Sequence, residues 1–295
     1  MPPPALGLHC RPGNRTGMRE TMTDVASRRA RFRALHQSGC FVLPNPWDIG
    51  SARLFQHMGF SALASTSSGH AWTIGKPDYG VTPDDVLAHL TALCAAVDLP
   101  VNADFESGFA VEPEGLAANV GLAIKTGVAG LSIEDSKPDG KVLYDLPFAV
   151  ERVRAARAAI DASGQDVILV ARTETLLHDP ATLRAAIDKL VAFAEAGADC
   201  LYAPGVNGKD NIAAMVRAMA PKPLNVLSWD TDMPVAAMAE LGVRRISVGG
   251  SLARMGWGAV QVAAQLLKDG SFAGLTGGAS GKQLNGIFAG FDKKG

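Results

Sequence analysis

The feature that most restricts what this chain can fold into is an alternation of β and α patterns that recurs eight times. Short β-branched or aliphatic runs, each ending in polar residues, lie at CFVLPN (40–45), ALAST (62–66), VNADF (101–105), GLSIED (130–135), VILVART (167–173), CLYAP (200–204), LNVLS (224–228) and RISVGG (245–250). Between them stand Ala-rich segments with helical spacing, such as VERVRAARAAI (150–160) and LRAAIDKLVAFAEAG (183–197), the latter closed by Gly197 as a C-cap. Pro83 and Pro113 sit near the starts of two others, where a missing N–H costs little. Strands that alternate with helices need crossover connections, and therefore form a parallel sheet. Eight such units fit a closed (β/α)8 TIM barrel better than an open doubly wound sheet, and the first turn, PNPWDIGSAR, has no G-x-G-x-x-G for a dinucleotide.

With 295 residues and 47% hydrophobic content, the chain can bury one large core. The expected division is an N-terminal tail, 1–22, disordered or an extension ahead of a natural start near Met22, followed by a single barrel domain with C-terminal helices, 23–295. After the eighth strand SLARMGWGAVQVAAQLLKDG (251–270) reads as the last barrel helix, and LNGIFAGF (284–291) as a short amphipathic tail packed on its own barrel or on a neighbouring subunit. A net charge of -1 and a charged fraction of 19% provide no basic face for nucleic acid or anionic lipid. No stretch offers the roughly 20 apolar residues of a membrane span. Cys10, Cys40, Cys94 and Cys200 lack C-x-x-C spacing and read as reduced thiols of a soluble, cytoplasmic protein.

Barrel enzymes carry their reacting groups at the C-terminal ends of the strands. Here strand two ends in Thr66, Ser67, Ser68, Gly69 and His70; strand three delivers Asp104 and Glu106, strand four Glu134 and Asp135, strand five Arg172, Glu174 and then His178. The later strands deliver mainly Pro204, Asn225, Ser228, Asp230, Gly249, Gly250 and Ser251. Carboxylates crowded on adjacent strand ends repel one another unless a cation or protons neutralise them, and hard oxygen ligands suit Mg²⁺, with Mn²⁺ as the alternative. Alternation is expected to put Asp104 and Glu106 on one face and to turn only one of Glu134 and Asp135, taken as Glu134, into the site. Arg172 supplies a planar fork that matches a carboxylate. Ser68-Gly69-His70 reads either as a plain turn or as backbone N–H groups that hold an anion. His70 and His178 are weaker candidates, because a loop histidine is more often a surface or hydrogen-bonding residue.

The stretch PNPWDIGSARLFQHMGFSALASTSSGHAWTIGKPD, then ADFESGFA, GLSIED, ARTET and PLNVLSWDTDMPVAAMAELGVRRISVGG, resembles the isocitrate lyase/phosphoenolpyruvate mutase superfamily in unbroken order from Cys40 to Leu267. The resemblance implies a (β/α)8 barrel whose eighth helix is exchanged between paired subunits, usually in a tetramer that is a dimer of dimers. It further implies Mg²⁺ contacted mainly by Asp104, with Glu106 and Glu134 holding metal-bound waters and Asp78 near the metal shell. Arg172 would bind the substrate carboxylate or stabilise an enolate oxygen, and Ser67, Ser68, Gly69, His70 and Asn225 would complete the substrate contacts. Glu134, Asp78 and Arg172 form the expected catalytic set.

Two departures bear on the reaction. The metal motif reads D-x-E, with Glu106 where the family usually has Asp. The lid, SKPDGKVLYDL, lacks the cysteine that isocitrate- and methylisocitrate-cleaving members carry there, and also the K-T-N-S segment of phosphonopyruvate mutase. The leading expectation is a Mg²⁺-dependent lyase or decarboxylase of a small 2-oxo or 2-hydroxy acid, acting through an enolate. The alternatives are a mutase or hydrolase of a P–C bond and a 2-oxo acid-binding protein that has lost turnover.

Overall fold

The computed structural model describes residues 24–228 and 233–292; the expected N-terminal tail, Cys10 and Asp230 lie outside the described residues. Eight parallel strands appear at β1 (Phe41–Leu43), β2 (Leu63–Ala64), β3 (Val101–Asp104), β4 (Gly130–Glu134), β5 (Ile168–Arg172), β6 (Cys200–Tyr202), β7 (Leu224–Leu227) and β8 (Arg245–Ser247). Each anticipated run contains one strand, shorter than the run itself, because the polar residues at its end leave the ladder to form loops. The ladder runs from β1 through β8 and back along the sheet to β2. The seam between β1 and β2 is closed by Ala64 N donating to Pro44 O at 3.2 Å. Asn45 fastens the same corner: its Nδ2 donates to Ser65 O at 3.0 Å, and its Oδ1 accepts from Val248 N and Gly249 N, both at 2.9 Å.

The helices are α1 (Val25–Gln37), α2 (Ile49–His57), α3 (Ser67–Thr73), α4 (Pro83–Ala96), α5 (Pro113–Lys125), α6 (Leu146–Ala162), α7 (Thr175–His178), α8 (Leu183–Glu195), α9 (Lys209–Met219), α10 (Val235–Glu240), α11 (Ser251–Lys268) and α12 (Gly281–Asp292). Pro83 and Pro113 open α4 and α5, and Thr82 and Asp85 complete a capping box on α4. None of these helices is long and apolar enough to cross a membrane.

Strand alternation divides the core in two. Leu131, Ile133, Leu169, Ala171, Leu201, Val226 and Ile246 face outward into one apolar layer shared with the helices. Inside the barrel, Leu43, Ala64, Ile168, Val170 and Cys200 gather around Phe32 from α1, which plugs the N-terminal end. Gly130 makes room for that plug, since a Cβ there would meet the Phe32 ring and Asn102 Oδ1, each at 2.7 Å. On β3, β4, β7 and β8 the inward positions include the polar residues Asn102, Ser132, Asn225, Arg245 and Ser247, all buried, with Leu227 as an apolar exception. An aliphatic barrel interior is therefore replaced, along the two opposed strand pairs β3–β4 and β7–β8, by hydrogen-bonding groups that lead from the floor up to the site.

The C-terminal segment behaves in two ways. α12 packs against α2 of its own chain, with Ile287 buried and the Arg53 guanidinium 5.2 Å from the Phe291 ring centre. α11 buries only Ala253 and leaves Met255 at 71% and Val262 at 64% exposure.

Candidate active site

The inward face at the C-terminal ends of β3, β4 and β5 brings Asp104, Glu134 and Arg172 together. Arg172 Nη1 lies 3.3 Å from Asp104 Oδ1 and 3.4 Å from Glu134 Oε2. Its other edge is gripped by Glu174, with Nε on Oε1 and Nη2 on Oε2 at 3.0 Å. The Tyr202 ring lies beneath it, 5.3 Å from ring centre to guanidinium carbon. One guanidinium thus serves three carboxylates, which holds Arg172 charged although its side chain is mostly shielded from solvent.

Asp104 is fixed from above by α3. Its Oδ2 accepts from Ser67 N at 2.9 Å and from Ser67 Oγ at 3.0 Å. The segment read as a turn, Ser68-Gly69-His70, is the first turn and body of α3, capped by Thr66. The N–H of Ser67, a residue expected to contact substrate, is given to Asp104 instead. Ser67 and Ser68 line the pocket, whereas Gly69 packs against Trp47 and the His70 ring is stacked on His89 (centroids 3.8 Å, interplanar 13°) behind the wall. His178 ends α7, outside the pocket lining.

Glu134 is buried beneath Arg172, and its Oε1 accepts from Ser136 Oγ at 2.6 Å. Burial is the main force raising its pKa, opposed chiefly by Arg172. Asp135 points the other way, toward α8: it accepts from Lys189 Nζ at 2.6 Å, Thr173 Oγ1 at 2.7 Å and Glu174 N at 2.9 Å. Asp135 therefore acts on the site only through the chain that carries Glu174.

Glu106 lies two residues past Asp104, beyond the end of β3, in a left-handed turn with φ 47°. That turn, not strand alternation, aims its side chain. The loop is held by Arg152 of α6, which donates to Ala110 O at 2.8 Å and also to Val111 O and Ser107 O. Glu106 is 3% exposed, and its Oε1 meets no hydrogen-bond partner. Burial, followed by the charges of Asp104, Glu134 and Asp78, pushes its pKa up to about 9. Asp78, at the pocket mouth, is likewise raised, first by burial and then by Asp104.

This excess of carboxylate fits a divalent cation. The orphaned Glu106 oxygen lacks a positive partner, and Mg²⁺ characteristically takes one or two carboxylates and keeps several waters. Among the described residues no three acidic, His or Cys side chains converge in direct ligating geometry, so the donor set suits such a partly hydrated ion and not an all-protein cage. Asp104, Glu106 and Glu134 are the residues that would hold it.

The cavity beside these groups measures about 240 Å³ and runs from Asp78 and Tyr79 at the mouth to Asn102, Ser132 and Arg245 at the floor. Asn225, fully buried, stands behind this wall with its Nδ2 on Ser247 Oγ at 3.0 Å. Sequence reasoning did not anticipate Tyr79, Tyr202, Asn102 or Arg245. Arg245 carried a signal, a charged residue in a barrel strand where β-branched residues dominate; Tyr79 carried only its neighbour Asp78. Tyr79 has φ 58°, and its ring lies against the lid: a Cβ on Gly140 would come within 2.5 Å of it. The lid is closed on itself by a Ser136–Leu143 bridge and by Lys137 N donating to Val142 O at 2.8 Å. Tyr144 faces away from the pocket, under the Arg152 guanidinium.

A (β/α)8 barrel with acidic strand ends and an arginine beside a small polar cavity defines the class, a barrel enzyme. The phosphoenolpyruvate phosphomutase family model matches residues 32–268, and the chain belongs to that family, as an enzyme of the isocitrate lyase/phosphoenolpyruvate mutase superfamily. It is 42% identical to a lyase/mutase of Burkholderia cenocepacia, whose crystal structure superposes with a TM-score of 0.86 over 90% of this chain and 97% of that one. An uncharacterized Mycobacterium tuberculosis protein is 32% identical over 81% of this chain and 89% of its own length. The oxaloacetate decarboxylase of Pseudomonas aeruginosa is 30% identical over 75% and 78%, respectively.

Proposed function

We propose that this enzyme is a Mg²⁺-dependent lyase or decarboxylase of a small 2-oxo or 2-hydroxy acid, working through an enolate. The observation that carries this reading is the group of carboxylates Asp104, Glu106 and Glu134, of which Asp104 and Glu134 share Arg172 and Glu106 has a buried oxygen with no partner. When bound, Mg²⁺ supplies Lewis-acid polarisation of the 2-oxo group. Arg172 Nη1, which lies between Asp104 and Glu134, would face the substrate, while Glu174 keeps the guanidinium plane fixed through its other edge. Nη1 then stabilises the charge that develops on the enolate oxygen. Ser67 and Ser68 shape the wall, Asp78 and Tyr79 the mouth, and the 137–146 lid excludes water. The oxaloacetate decarboxylase relative supports the substrate class.

The exposed apolar face of α11 supports exchange of that helix with a second copy and a homo-oligomer built as a dimer of dimers. The three described cysteines are free, which supports work in the cytoplasm. Oxaloacetate, dimethylmalate, 2-methylisocitrate, isocitrate and phosphonopyruvate, assayed with Mg²⁺ and with chelator, test the function. Turnover of one of the first two only with Mg²⁺ is expected. The isocitrates should not be cleaved, because no cysteine stands on the lid to protonate the released product, and loss of a positioned acid costs about 10²- to 10⁴-fold. Turnover of phosphonopyruvate alone would replace this reading with P–C chemistry, and binding of 2-oxo acids without any turnover would make the protein a sensor.

A further inference from the structure

The floor of the cavity holds a charge that the chemistry above does not use. Arg245 is 3% exposed, projects inward from the first position of β8 and lines the pocket. Its protein partners are all uncharged. Nε donates to Asn225 Oδ1 at 2.9 Å and Nη1 to Asn102 Oδ1 at 3.3 Å, and Nη1 lies 3.5 Å from His36 Nε2. His36 is neutral, because burial holds its pKa down to about 3. The Phe32 ring covers another side, 5.9 Å from the guanidinium carbon. Among the described residues Arg245 forms no ion pair, and its Nη2 has no protein acceptor.

A buried guanidinium without a carboxylate is costly, and buried charges are ordinarily paired. The other buried arginines illustrate the contrast. Arg172 is ringed by carboxylates, and Arg28, Arg29 and Arg152 donate to two or more backbone carbonyl oxygens each. Of these, Arg172 and Arg245 open into the cavity, and only Arg245 does so with no carboxylate paired to it. Asn225 and Ser247 extend its polar surroundings as a hydrogen-bonded pair.

The geometry points to a second anion subsite here, with Arg245 as the group that takes the far carboxylate of a dicarboxylic substrate. Asn102, on Arg245, and Asp104, on Arg172, are same-face residues two apart on β3, about 6.6 Å along the strand. The two cationic ends are thus separated by a depth that suits a four-carbon diacid whose other carboxylate and 2-oxygen lie at the level of Asp104. This assignment rests on the proposed reading for its upper end, and on Arg245 alone for its lower end. It names the substrate class as a short 2-oxo or 2-hydroxy dicarboxylate, and excludes a monocarboxylate of the same length.

Malate and 2-hydroxybutyrate share a four-carbon 2-hydroxy acid skeleton and differ in the terminal carboxylate. Titration calorimetry of the intact protein with Mg²⁺ should show malate bound at least tenfold more tightly, the scale of one charge-assisted contact. In Arg245→Gln the two affinities should converge to within about threefold, with 2-hydroxybutyrate unchanged; Arg245→Lys, which keeps a charge and loses the fork, should fall between. Equal affinities in the wild type would overturn the proposal without recourse to a variant, as would a malate preference that survives in Arg245→Gln. Repeating the pair with chelator separates the two readings. If both affinities are unchanged without Mg²⁺ while the tenfold ratio persists, the metal reading fails and the subsite stands.

Discussion

Replacing Asp135 with alanine should unfold part of what makes Arg172 useful, although Asp135 never faces the pocket. Its carboxylate is 1% exposed and its partner Lys189 15%, with 2.6 Å between them. Two further bonds, from Thr173 Oγ1 and Glu174 N, end on the same group. Removing one partner of a buried, hydrogen-bonded pair leaves the other charge uncompensated and costs about 3–5 kcal/mol. At roughly 2–4 °C per kcal/mol for a domain of this size, Tm should fall by about 6–20 °C. The backbone of Glu174 loses an anchor in the same step, so kcat should fall more than KM rises, because Glu174 sets the plane of Arg172. Thermal unfolding by calorimetry, beside steady-state kinetics, reads both effects. The double variant Asp135→Leu/Lys189→Met should recover part of the lost stability, since it removes both charges. A single variant melting within about 2 °C of wild type, or a double variant no better than the sum of its singles, would refute this account of the pair.

Asp104→Ala should abolish Mg²⁺-dependent turnover, at least about 10²-fold, with Tm little changed, because a strand-end carboxylate serves the ligand more than the core; normal turnover would remove the metal site as drawn. Gly140→Ala should impair lid closure, since φ is 70° there and the new Cβ would press on the Tyr79 ring; limited proteolysis within 137–146 should then respond less to added Mg²⁺ and 2-oxo acid than in the wild type, and an equal response would count against the contact. His36 has a folded pKa of about 3, below its unfolded value, mainly through burial and then Arg245. Its contribution to stability is therefore complete above about pH 6.5 and is lost as pH falls toward 3, at up to about 1.4 kcal/mol per unit. The wild-type advantage over His36→Gln should shrink by about 1 kcal/mol between pH 6 and pH 5 in chemical denaturation, the site carboxylates being common to both proteins and cancelling; a constant difference would mean that His36 is already charged in the folded state.

The amino-acid order alone determined the eight strands and the parallel barrel, because hydrophobic period and helix punctuation are local signals that report on one segment at a time. It also separated Glu134 from Asp135, since neighbouring residues on a strand must face opposite ways. Tertiary structure decided everything that depends on several elements meeting. It drew Ser67 onto Asp104 through both its N–H and its hydroxyl, and it buried His70 against His89, because α3 begins as soon as β2 ends. It aimed Glu106 by a left-handed turn that no alternation rule describes. Tyr79 lies in a connection between α3 and α4, and Arg245 on the last strand; they reach the same cavity as Asp104 only when the barrel closes. Such convergence leaves no trace in residue spacing, because the positions involved are separated by up to most of the chain and are related only through the curvature of the sheet.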